Sequence, residues 1–202
     1  MSRLRVRAAL LAFATLAALV GAGVLTRFDQ WGVDHLMPAA DFREGTPTFA
    51  ESLVPLLGAH WDTWLGSVAD IVTLPASFLI SLAIVAWRSR VLALALIAAV
   101  AVEVVCKELI ERPALYHGAF HIAAFDSSFP SGHTLRMVIV AAAVWPLLRG
   151  WAIAWAVASI VLLQLAGWHT PTDILGGLLL GVLALLGARG AGALRARRLA
   201  RA

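Results

Sequence analysis

The chain is short of charge. Aspartate, glutamate, lysine and arginine make up 14% of its 202 residues, against 61% for the apolar types. A soluble globule needs a charged surface, and this composition cannot furnish one. Lysine is nearly missing: Lys107 stands alone beside fifteen arginines. Cysteine is equally scarce. With Cys106 the sole thiol, no disulfide can close within the chain, and cysteine usage gives no sign of redox compartment. Internal repeats, low-complexity tracts and a second compositional domain are also lacking, so residues 1–202 read as one domain. The basic pI of about 10.5 raises nucleic acid as a partner. The arginines, however, do not cluster with aromatics that could stack bases, which excludes that class.

What the chain does have is long apolar runs, each near the ~20 residues that cross a ~30 Å hydrocarbon core. Six spans are expected: residues 8–25, 65–87, 91–110, 133–148, 151–168 and 172–188. The fold class is therefore all-α, a polytopic bundle of six transmembrane helices, the fourth of them short. The first span follows Arg3, Arg5 and Arg7 in the manner of a signal peptide. Its apolar run continues to Leu25, which favours a retained helix. Arginine and lysine stay preferentially on the cytoplasmic side. With the amino terminus inside, Arg3, Arg5, Arg7, Arg88, Arg90, Arg149, Arg189, Arg195, Arg197, Arg198 and Arg201 fall inside, and none of the acidic residues does. Both termini are then cytoplasmic, and the arginine-rich composition points to a bacterial inner membrane. The first outer loop, residues 26–64, carries Trp31, Trp61 and Trp64 for the interfacial belt. Thr48 and Glu51 in that loop read as a capping box opening a short surface helix.

Three outer segments hold polar groups that are costly beside lipid. The first ends the third span: Glu103, Lys107, Glu108, Glu111 and Arg112. Helical spacing pairs Glu103 with Lys107 and Glu108 with Arg112. The second is Pro130-Ser131-Gly132-His133, with Arg136 on the same face. Ser131 suits a helix N-cap, Gly132 lets a ligand approach the backbone, and the helix start favours an anion. The third is His169-Thr170-Pro171-Thr172-Asp173, where Pro171 suits a first helical turn and Asp173 is within reach of His169. Each segment alone has a plain structural explanation. The six-span topology puts all three on one outer face, and the sum fits phosphoryl transfer, in which positioning and charge stabilisation carry the catalysis.

With Lys107, Pro130-Ser131-Gly132-His133, His169 and Asp173 in this order, residues 107–173 resemble the type-2 phosphatidate phosphatase and vanadium haloperoxidase superfamily. The chain departs from that family's pattern twice. Arg112-Pro113 sits two residues earlier than the family's Arg-Pro, and Leu162-Leu163 stand where its Ser-Arg would fall. Arg112 could cover one missing phosphate ligand and Arg136 the other, with Gln164 beside the gap. The resemblance implies a lipid phosphate phosphatase with catalytic His169, His133 and Asp173. His169 would be the nucleophile, Asp173 would hydrogen-bond its other nitrogen, and His133 would act as general acid and base. Phosphate would bind to Lys107, Arg112, Ser131, Gly132 and Arg136. No cofactor or metal is implied; the partners are a lipid phosphate substrate and the bilayer, with no nucleic acid and no obligatory protein partner.

Other functions use the same residues. A binding or transport protein would keep the phosphate pocket without turnover, though two histidines and a carboxylate exceed what anion binding needs. A phosphotransferase would pass the group to an acceptor other than water. A metallohydrolase would draw on His117, His121, His133 and His169; His117-x-x-x-His121 has the ligand spacing of a helix, but Gly118 places the segment in a loop. Gly177-x-x-x-Gly181 offers a face for close helix packing, within the bundle rather than between chains.

Overall fold

The computed structural model describes residues 2–37 and 64–199. These are mostly helical, as the apolar periodicity and composition require. The expected surface helix opened by Thr48 and Glu51 lies outside the described residues, as does Trp61. Helix α1 covers Ser2–Gly21, and a turn at Gly23, with φ +71°, leads into α2, Thr26–Leu36. Helices α3 (Trp64–Thr73) and α4 (Phe78–Arg88) are separated by a tight 3-10 turn, Leu74–Ala76. Then follow α5 (Arg90–Leu109), a two-stranded hairpin of β1 (Tyr116–His117) and β2 (Phe120–His121), α6 (Gly132–Leu148), α7 (Gly150–Leu165) and α8 (Pro171–Leu199).

Among the described residues three stretches are long and apolar enough to cross a membrane: Leu4–Gly21, Trp64–Arg88 and Pro171–Gly192. Helices α6 and α7 are apolar but shorter, at 17 and 16 residues. The described helices turn large apolar side chains outward, among them Leu94, Ile97, Val105, Trp151 and Ile153. Apolar exposure on this scale suits lipid and not water. The core lies where α8 packs against α1, α5 and α6, and joins Phe13, Val20, Leu96, Phe129, Leu135, Ile139 and Leu180.

Two sequence expectations change. Residues 65–87 do not form one unbroken helix: Pro75 lacks a backbone donor, and the chain tightens into the 3-10 turn around it. Residues 26–36, expected as loop, form α2. Its apolar Val33 and the Met37 that follows its last turn bury against Leu115, Ile122 and Phe125, from the segments that flank the hairpin. The Gly177 and Gly181 face packs on α6 within the chain. A Cβ on Gly177 would run into the carbonyl oxygen of Ser131, and one on Gly181 into Val138 at 2.7 Å. Those glycines let α8 approach α6 closely enough for the ends of the two helices to share a polar cluster.

Candidate active site

The polar segments meet at one end of the bundle, where α5 finishes and α6 and α8 begin. Ser131 caps α6, its Oγ accepting from the Thr134 N–H at 3.2 Å. Its own N–H donates to the Asp173 carbonyl at 2.9 Å, tying the start of α6 to the start of α8. His133 therefore occupies the first turn of α6, and His169 the loop just before α8. Their ring centroids are 5.7 Å apart, with Trp168 packed 5.9 Å from His133.

Lys107 and Arg136 reach the same region through a shared carboxylate. Lys107 Nζ donates to Glu103 Oε1 at 2.9 Å, and Arg136 Nη1 lies 3.4 Å from Glu103 Oε2. Arg136 also donates from Nε to the Ala76 carbonyl at 2.5 Å. That carbonyl belongs to the turn at Pro75, where the helical ladder is interrupted; an arginine within an apolar helix is thereby satisfied by a second helix's break. Gly132 faces the Glu103 carboxylate so closely that a Cβ there would collide with it.

Arg112 goes elsewhere. The expected pairing with Glu108 fails because α5 ends at Leu109, so the two residues no longer share a helical face. The guanidinium is instead enclosed between Asp29 of α2 and Asp173 of α8, forming an ion pair with each. It also donates to Thr170 and Thr172 Oγ1, both at 3.0 Å, and to Ser128 Oγ at 3.3 Å. Asp29 accepts from the Thr172 N–H at 3.0 Å and from its hydroxyl at 2.7 Å. Burial raises the Asp29 carboxyl above its ordinary range, against the pull of Arg112. Arg112 thus holds α2 and the His169 loop together and donates to neither histidine.

Asp173 is likewise engaged. Its Oδ2 accepts from Ser128 Oγ at 2.7 Å and from the Thr170 N–H at 2.9 Å, while Oδ1 accepts from Arg112. The Thr170 Oγ1 in turn accepts from the Asp173 N–H at 3.3 Å, the reciprocal pattern of a capping box. His169 Nδ1 is 4.0 Å from Asp173 Oδ2, beyond hydrogen-bond reach, and has no hydrogen-bond partner among the described residues. The direct hydrogen bond expected between them is not formed, because the helix cap takes the carboxylate. His169 itself is held neutral: burial, then Lys107, push its imidazole down to about 3, with Arg136 adding and Glu103 opposing. An unprotonated imidazole beside cations is chemically a nucleophile or a base.

Asp29, Ser128 and Glu103 enter this region without having been singled out as site residues. Asp29 had no local signal, since its partners lie more than eighty residues away. The spacing of Thr170 and Asp173 is the capping-box signal that would have pointed to their reciprocal hydrogen bonds. Gln164 Nε2, beside the position where the family's arginine would fall, is buried and has no partner among the described residues. His117 and His121 sit on the exposed hairpin, His117 opposite Phe120 and His121 opposite Tyr116, so the helical ligand spacing does not apply. His121 Nε2 lies 2.9 Å from Asp126. Among the described residues no three of His, Cys, Asp and Glu converge as a metal-ligand set.

No protein-family model, curated protein or solved structure matches the chain. Its class is set by its own features: a mostly helical protein with helices of membrane-spanning length and composition, and a histidine pair, His169 buried and His133 half-buried, beside cations at one end of the bundle.

Proposed function

We propose that the chain is a membrane phosphatase that hydrolyses a lipid phosphate or diphosphate through a phosphohistidine intermediate. The observation carrying this reading is the pairing of His133 and His169 at 5.7 Å, at the start of a capped helix and beside the Glu103-bridged cations. The resemblance of residues 107–173 to type-2 phosphatidate phosphatases supports the same chemistry. Lys107, the Ser131 hydroxyl and the Gly132 backbone hold the phosphate oxygens, and Arg136 adds positive potential from behind. His169 Nδ1 is turned toward Asp173, which leaves Nε2 to attack phosphorus. The phosphorus–oxygen bond to the lipid breaks, and the leaving oxygen takes a proton from His133. Water then attacks the phosphohistidine, giving its proton to His133 as the phosphorus–nitrogen bond breaks. Asp173 acts through the Thr170 cap and its field, and Arg112 positions the loop.

In this reading six spans cross a bacterial inner membrane, with α3 and α4 as one broken span and both termini cytoplasmic. The histidines then face the periplasm, and the lipid reaches them sideways between helix ends. The test is phosphate release by the purified protein from polyprenyl diphosphate, phosphatidate and phosphatidylglycerophosphate, with and without chelator. Release that survives chelator and drops in His169→Ala and His133→Ala supports the reading. Tight lipid-phosphate binding with no turnover would replace it with a binding or transport protein. Transfer to an added alcohol acceptor in preference to water would make it a phosphotransferase.

A further inference from the structure

We propose that Glu103 is a built-in anion that competes with substrate phosphate for Lys107 and surrenders it when phosphate binds. The proposal rests on the phosphatase reading and adds to it a residue that sets ligand affinity. The Glu103 carboxylate is buried at the start of α6, where an anion is favoured. It bridges Lys107 at 2.9 Å and Arg136 at 3.4 Å. It also lies so close to Gly132 that a Cβ there would displace the carboxylate. A carboxylate that touches the glycine of the anion cradle and neutralises the lysine beside it holds the position a phosphate oxygen needs.

The two cations are not equivalent. Arg136 is enclosed, with its Nε on the Ala76 carbonyl, and removing its counter-ion would strand a buried guanidinium. The Lys107 side chain is 33% exposed and carries its ammonium on a flexible stem. Exchange therefore falls on Lys107. It leaves Glu103 Oε1 for a phosphate oxygen, while Glu103 stays on Arg136 through Oε2. Carboxylate and phosphate repel each other across this small space, so the resting pair holds ligand affinity down.

Binding of inorganic phosphate to the full-length protein in detergent, by calorimetry and by competitive inhibition of lipid-phosphate hydrolysis, tests the exchange. Glu103→Gln should tighten phosphate by about tenfold, because it removes the repulsion and frees Lys107. Since Arg136 loses its counter-ion in that variant, the pair Glu103→Gln with Arg136→Met is the second arm. It keeps the local net charge of the wild type, so tighter phosphate there reports the release of Lys107 itself. Unchanged or weaker phosphate binding in the folded variants overturns the proposal. If hydrolysis is present and lost in His169→Ala, that failure leaves the phosphatase reading standing. If neither wild type nor variants bind phosphate and none hydrolyses a lipid phosphate, both fall together.

Discussion

Asp173 Oδ2 stands 4.0 Å from His169 Nδ1 and is already engaged by Ser128 Oγ at 2.7 Å and the Thr170 N–H at 2.9 Å. The carboxylate orients the histidine loop through the cap it completes, and reaches the imidazole only through its field. Ser128→Ala removes one competitor for Oδ2 and one buried hydrogen bond. It should lower stability by about 1 kcal/mol while leaving kcat within about tenfold of wild type. Asp173→Asn also removes the charge that pairs with Arg112, and should cost far more in both. Denaturant unfolding in detergent and steady-state kinetics read the difference.

Arg112 has the opposite character to a ligand-binding arginine, since two carboxylates and three hydroxyls consume its donors. Arg112→Ala leaves Asp29 and Asp173 buried without their cation and should destabilise the protein by about 3–5 kcal/mol. Arg112→Lys should recover little, because an ammonium cannot match the planar fork. Activity should fall in step with folded protein. A fully folded Arg112→Ala protein that has lost only phosphate affinity would instead place Arg112 in the binding site.

His169 gives stability a particular pH dependence. The unfolded imidazole titrates near 6.5 and the folded one near 3. Between those values only the unfolded chain takes up the proton, so stability falls as pH drops from 6.5 toward 3. Replacing His169 with Gln removes that dependence, by up to about 1.4 kcal/mol per pH unit in this window. Thermal midpoints of both proteins between pH 7 and pH 4 measure it. Parallel curves would show that His169 is not held neutral.

Close helix approach is tested at Gly177, whose missing Cβ makes room for the Ser131 carbonyl. Gly177→Ala should push α8 from α6 and cost about 1–3 kcal/mol. Gly150→Ala, where a Cβ meets nothing within 4 Å, should change stability by less than about 0.5 kcal/mol. Equal effects would mean that the α6–α8 contact is not tight.

The helical, apolar character of the chain was legible in its sequence because hydrophobic runs leave few alternatives. So was the Ser131 cap, which depends only on local backbone chemistry. The break at Pro75 overturned the single span expected over residues 65–87, although the proline, which cannot complete the helical ladder, was its local signal. The partners of Arg112 were not. Helical spacing pointed to Glu108, but the helix stops first, and the actual carboxylates come from 83 and 61 residues away. The hydrogen bonds of Asp173 were partly hidden for a related reason: proximity to His169 and the cap spacing of Thr170 are local, while competition from Ser128, 45 residues away, is not. Long-range pairing follows from packing, which a single sequence does not display.

A nucleophilic His169 is tested most directly by trapping the covalent intermediate. A lipid phosphate labelled in its phosphoryl group would be mixed with purified protein, quenched in base and mapped by mass spectrometry. Wild type should carry a base-stable, acid-labile phosphoryl group on His169, absent from His169→Ala, with phosphate release in that variant reduced by at least about 100-fold. Hydrolysis of the same lipid that persists in folded His169→Ala, with no label on His169 in wild type, would contradict the phosphohistidine chemistry.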